Sequence, residues 1–168
     1  MSKSKPQLRR TFNMSGKLPS AGKSVPTHKR IQVGWPKADY SYAIVEFRVY
    51  PSNTNVNAQL AGTLTLAKND SLEPGSPNMD DTNQLAWSTY NQHHGVPPGV
   101  GEANVISESG LIDDENYFDR NIYLHGVDEQ GTQDINYFIK LAEFRTKPDV
   151  GAIVMLRQYG QLRSMEQS

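Results

Sequence analysis

His93 and His94 stand side by side. With Glu102 or His125 they would supply the imidazole and carboxylate donors that a divalent metal takes. Their segment, His93–Gly101, reads H-H-G-V-P-P-G-V-G, and this density of proline and glycine excludes regular structure. Adjacent histidines in such a loop are read more simply as exposed, and no metal site is assigned to them. A second cluster, Asp113, Asp114, Glu115 and Asp119, could gather a hard cation such as Ca2+, particularly where two subunits meet. It lacks the turn glycine and the distant bidentate glutamate of an EF-hand, so a solvated acidic loop is the expected state. The chain has no cysteine, which removes disulfides, thiolate metal sites and thiol catalysis. The glycine-rich nucleotide loops, H-E-x-x-H and G-x-S-x-G are all absent. The expectation is a protein without a catalytic centre and without a cofactor.

The cations have a stronger pattern. The chain of 168 residues holds 17 Lys and Arg against 18 Asp and Glu, a net charge of −1. Nine of the positive residues precede the first acidic one, Asp39: Lys3, Lys5, Arg9, Arg10, Lys17, Lys23, Lys29, Arg30 and Lys37. Everything after residue 38 is therefore strongly acidic. Such asymmetry points to a segment that binds polyanions. Lys3, Lys5, Arg9, Arg10, Lys17, Lys23, Lys29 and Arg30 are the candidate nucleic-acid-binding residues, acting by counterion release and largely without sequence preference. Phe12 is the only aromatic residue before Trp35, so base stacking has little support within this segment.

Residues 1–30 carry few large apolar groups, too few to offset about 1–2 kcal/mol of backbone entropy per ordered residue, and read as an extended basic arm. A period of two begins after residue 31. In Tyr40–Tyr50 it puts Val45, Phe47 and Val49 on one face and Glu46, Arg48 and Tyr50 on the other. In Ala58–Lys68 it puts Leu60, Leu64 and Leu66 opposite Ala61, Thr63, Thr65 and Ala67. Further strands are expected at 31–35, 83–90 and 103–107, over Tyr117–His125 with Phe118, Ile122 and Leu124 inward, and over Thr132–Phe144. The last element, 150–159, reads as a strand or a short helix, with Ile153 and Val154 favouring strand. Tyr50, Tyr90, Tyr123 and Tyr159 are expected at strand ends or on the outer face, and Asp128 and Glu129 as solubilising turn residues. Eight antiparallel strands with unequal loops predict an all-β, jelly-roll sandwich over 31–168 behind an arm of 1–30. No stretch approaches the ~20 apolar residues of a membrane helix, and no signal-peptide core is evident, so host cytoplasm or nucleus is the expected setting and no membrane is expected as a partner.

A basic leader (K-S-K-P-Q-L-R-R, then G-K and H-K-R) ahead of an eight-strand domain without a catalytic motif resembles the single jelly-roll coat proteins of small icosahedral viruses. The stretches F-R-V-Y-P-S (47–52), G-T-L-T-L-A-K (62–68), L-A-W (85–87) and I-N-Y-F-I-K-L-A-E-F (135–144) are similar in style to capsid proteins of circular single-stranded DNA viruses. The leader is sparser in arginine than those of that group. The resemblance implies a homo-oligomeric shell and virion localisation, with the single-stranded genome neutralised by the leader. The competing readings are a non-assembling β-barrel nucleic-acid binder, another virion component such as a spike or tail protein, and a β-sandwich enzyme or lectin with His93, His94 and Trp87 around a pocket.

Overall fold

The computed structural model describes residues 7–23, 25–34, 39–53, 60–70, 83–93, 104–111 and 117–145. Within them the chain is all β. Eight strands follow in order: β1 Gln7–Leu18, β2 Thr27–Gln32, β3 Tyr40–Pro51, β4 Leu60–Ala67, β5 Gln84–His93, β6 Asn104–Leu111, β7 Asn121–Asp128 and β8 Ile135–Arg145. They make a three-stranded sheet, β1-β8-β3, and a five-stranded sheet, β2-β7-β4-β5-β6, with every pair antiparallel. The pairs β1–β8, β2–β7 and β4–β5 nest about the middle of the chain, as if one long hairpin had been wound on itself. β3 packs against both β5 and β6 without a shared ladder. There the Ser107 hydroxyl donates to the Val49 carbonyl at 3.5 Å, and the Val49 N–H donates to Ser88 Oγ at 3.2 Å.

The core lies between the sheets, and its large apolar side chains alternate along most of the strands. Leu60, Leu64 and Leu66 on β4 meet Ile122 and Leu124 on β7 and Ile135, Ile139 and Leu141 on β8, all inaccessible to solvent. Phe118, just before β7, is equally buried and bridges to Tyr42 through its backbone. The inward series of β4 and of Phe118, Ile122 and Leu124 match the sequence reading, and β8 overlaps the strand expected over Thr132–Phe144. Two close approaches need glycine: a Cβ at Gly62 would meet the Tyr90 ring at 2.7 Å, and one at Gly110 would meet the Trp87 indole nitrogen at 2.8 Å. Gly110 therefore lies inside β6, under Trp87, where the sequence reading placed the end of a strand.

Several expectations are corrected. Gln7–Leu18 is not a detached arm but a twelve-residue edge strand paired along β8, and the expected boundary at residue 31 falls inside β2. Phe12, Met14 and Leu18 face inward at period two, with Leu18 fully buried and Phe12 and Met14 packed against the core. On β3 a bulge between Ile44 and Glu46 adds one residue, so Ile44 joins Phe47 and Val49 inside while Val45 is exposed. Tyr90 is not at the surface: it is buried, and its hydroxyl donates to Asp128 Oδ1 at 2.8 Å. Asp128 is likewise buried, its Oδ2 accepting the Thr132 N–H at 2.8 Å and its own N–H donating to Ser20 Oγ at 2.8 Å. Burial and the carboxylate beside it push the Tyr90 hydroxyl pKa well above the usual tyrosine range. The expected element at 150–159, with Tyr159, lies outside the described residues.

The corners that lead β1 to β2 and β7 to β8 are tied together. Gly22 N–H donates to the Gly131 carbonyl at 2.8 Å, both glycines having positive φ, and Asp134 Oδ1 accepts the N–H groups of Ser20 and Ala21 at 3.0 and 3.2 Å. These two bonds, helped by Lys17 nearby, hold the Asp134 carboxyl below its usual pKa.

Because β1 supplies core, removing residues 1–18 is expected to unfold or aggregate the protein rather than leave its melting temperature unchanged. Leu18→Ala alone should cost about 2–5 kcal/mol in urea unfolding, the range for a buried leucine.

Candidate anion-binding site

The inward series on β8 runs Ile135, Tyr137, Ile139, Leu141 and then Glu143, a carboxylate only 3% exposed at the mouth of the sandwich. A carboxylate in that position needs a counter-charge. Register provides it: Glu143 lies opposite Arg10 on β1 and Tyr42 on β3. A bulge between Leu8 and Arg10 turns the neighbouring arginine to the same carboxylate. Arg9 Nη1 donates to Oε1 at 2.8 Å and Arg10 Nη2 donates to Oε2 at 3.1 Å. The bond to Glu143 raises the Arg10 pKa further above its ordinary value.

Aromatic rings support both guanidiniums. Arg9 lies 5.1 Å from the Tyr40 ring centroid and Arg10 lies 5.3 Å from that of Phe12, within cation–π distance. Phe12 meets Tyr42 edge to face at 6.2 Å. The end of β2 forms the opposite wall through Gln32, Val33 and Gly34, where Gly34 leaves room for the Tyr42 hydroxyl. The arginines, Tyr40, Tyr42, Glu143 and this wall enclose an open cavity of about 500 Å3. Each arginine presents five N–H donors and gives Glu143 only one short bond, and both side chains are more than half exposed. Two cations against one carboxylate leave the cavity with an unbalanced positive charge and donors directed at solvent. That arrangement can hold an anion.

The other sequence-predicted cations are spread along the same two edge strands. Lys17 is exposed on β1, 3.9 Å from Asp134. Lys29 reaches across from β2, its Nζ donating to the Lys17 carbonyl at 3.0 Å and lying 5.3 Å from the Tyr137 ring centroid. Arg30 is exposed on the outer face of β2, and Lys23 is exposed in the corner after β1. Lys3, Lys5 and Lys37 lie outside the described residues. The structure thus brings Arg9 and Arg10 together and distributes the rest. Placement of cations on β1 and β2 has a structural consequence of its own, since charge on an edge strand discourages edge-to-edge pairing.

Of the candidate metal donors, His94, Glu102, Asp113, Asp114 and Glu115 lie outside the described residues, as does the side chain of His93. Asp119 is buried beside Arg120, 4.0 Å away. His125 is buried on the outer side of β7, opposite His28 of β2 in register, with ring centroids 6.0 Å apart. No group of three or more metal-binding side chains is present among the described residues. Glu143, Tyr40 and Tyr42 were absent from the sequence-based candidates. The signal for them was a charged residue continuing an otherwise apolar inward series.

No protein-family model matches the chain, and no curated protein or solved structure resembles it significantly.

Two outcomes follow from these surroundings. Arg9→Ala with Arg10→Ala strands the buried Glu143 and should lower the urea unfolding midpoint, whereas Glu143→Gln, which leaves no buried charge behind, should shift it less. Burial lowers the His125 pKa below its ordinary value, opposed by Asp70 and an Asn69 backbone bond and reinforced by His28. The unfolded chain therefore takes up this proton first. The stability due to neutral His125 is complete above the unfolded pKa of about 6.5 and is lost as pH falls through the lower folded value. His125→Gln should flatten the dependence of melting temperature on pH between 7.5 and 5.

Proposed function

We propose that the chain is a viral coat protein: a jelly-roll subunit that assembles with copies of itself into an icosahedral shell around a single-stranded nucleic acid. In this reading its work is structural and it acts in the virion. The observation that carries the reading is the nested pairing of β1 with β8, β2 with β7 and β4 with β5 across two facing sheets. Such nesting is a feature of the jelly roll, an architecture used by capsid and lectin domains, while β6 here pairs with β5 and not with β3. The cationic N-terminal stretch adds to it, in altered form. Arg9 and Arg10 are engaged by Glu143, while Lys17, Lys23 and Arg30 stay exposed for phosphate contact, with Lys3 and Lys5 ahead of β1. The genome contact is then a cationic edge of the domain in addition to a leader.

One observation favours the non-assembling binder as a second reading. The outer face of the three-stranded sheet carries Lys17, Lys140 and Arg48, the last ion-paired with Glu46 on the same face, together with Phe138 and the exposed Tyr50. In register, Ser15, Phe138 and Arg48 form one row and Lys17, Asn136 and Tyr50 the next. Basic and aromatic side chains on one sheet face suit single-stranded nucleic acid.

Negative-stain microscopy of the purified full chain, with and without single-stranded nucleic acid, separates the two. Uniform spherical particles are expected. A protein that stays monomeric at high concentration under both conditions overturns the coat-protein reading, and monomers that retain nucleic acid on a filter point to the binder. Lys17→Glu with Arg30→Glu should leave particle formation intact and weaken retention of nucleic acid, with a shallower dependence on salt.

A further inference from the structure

We infer that the cavity at the mouth of the sandwich is a binding site for a phosphate ester of nucleotide size, held by Arg9 and Arg10 against the wall of Tyr40 and Tyr42. The chemistry is set by three features. The charge is positive and fixed, because Glu143 neutralises one guanidinium of two and is itself too buried to move away. The donors are planar forks on adjacent residues, a geometry suited to the oxygens of a phosphate. They are also pre-set, since each guanidinium is held by a bond to Glu143 and by an aromatic ring, so little freedom is lost on binding.

Size decides against a simple ion. A cavity of about 500 Å3 far exceeds a phosphate and falls within the range of small-molecule sites. Its remaining walls are the Tyr40 ring, Gln32, Val33, the backbone around Gly34 and the mostly buried Tyr42, surfaces suited to a flat ring and a sugar. Arg10 lies opposite Glu143 within the ladder, whereas Arg9 sits in the bulge, so Arg9 is the arginine whose replacement least disturbs the strand pairing. The site is complete in one copy of the chain, and the inference does not depend on whether the chain assembles.

The shared chemistry, a nucleoside phosphate, has two sources: a free nucleotide or one unit of a nucleic acid strand. Calorimetric titration of the full chain with inorganic phosphate, ribose 5-phosphate, AMP, adenosine and a short oligodeoxythymidine distinguishes them. AMP should bind, ribose 5-phosphate and inorganic phosphate more weakly, and adenosine least. Tighter binding of the oligomer than of AMP assigns the site to a strand; equal binding assigns it to a free nucleotide. Arg9→Gln leaves Arg10 on Glu143 and should weaken AMP roughly tenfold, the worth of one charge-assisted hydrogen bond. Arg9→Lys, which keeps the charge without the fork, should recover part of that loss. Glu143→Gln removes the competing negative charge while its amide oxygen and the two rings still position the guanidiniums, and should strengthen AMP several-fold. Melting curves of each variant verify that it folds. Equal affinity for AMP and adenosine, equal affinity for AMP and inorganic phosphate, or AMP binding unmoved by both Arg9→Gln and Glu143→Gln overturns the inference. Loss of shell formation with these affinities intact would touch only the coat-protein reading.

Discussion

The buried carboxylate of Glu143 is the constraint around which the cationic end of this molecule is arranged. β8 is the central strand of its sheet, and its inward side chains continue into the core until this last position. A carboxylate there cannot be left unpaired, because removing it from water without a partner costs several kcal/mol. Two arginines from the opposite end of the chain meet it, more than 130 residues away in sequence. The first strand is thereby held to the last by charge at one end and by Leu18 in the core at the other. Positive charge that looks free in the sequence is, at Arg9 and Arg10, partly committed to the fold.

This arrangement makes the chain strongly non-local. The strands that pair are for the most part those farthest apart, and the loop-closure entropy of β1 with β8 has to be met before their contacts stabilise anything. The tied corners at the other end of the sheet help to offset it. Asp134 holds the backbone of Ser20 and Ala21, and Asp128 receives Tyr90 and Thr132 while its own N–H is bonded to Ser20. Ser20, Tyr90 and Asp128, all buried there, are matched to one another, which lets the two sheets be joined by short crossings. The open mouth at Glu143 and the closed corner at Asp134 thus sit at opposite ends of the same pair of strands. Only the first leaves cationic donors facing a cavity.

Electrostatic polarity survives in a different form from the one that charge counting suggests. The two halves of the sequence differ sharply in sign, yet the basic half contributes two strands to the same body as the acidic half. Separation of charge is therefore a matter of edges and faces. β1 and β2 carry cations along the free edges of both sheets, where charge also suppresses unwanted pairing, while on the outer face of the smaller sheet Glu46 pairs with Arg48 and lies opposite Lys140. A ligand approaching this end of the domain would meet a built surface, and a built surface can choose among ligands by shape.

The sequence by itself determined the elements whose partners are their own neighbours two residues away. The inward series Leu60, Leu64, Leu66 and Phe118, Ile122, Leu124 are read directly from alternation, because a half-buried strand must alternate wherever it pairs. The same alternation was present in F-N-M-S-G-K-L of β1, but its glycine and its cations made the stretch look like a solvated arm. Nothing local indicates that β8 waits to cover it. The bulge that expels Val45, the burial of Tyr90 with Asp128, and the meeting of Arg9, Arg10, Tyr42 and Glu143 belong to tertiary structure alone. Each depends on which residue a register places opposite another across a long stretch of chain, and register is decided by the packing of whole sheets, not by any residue's immediate surroundings.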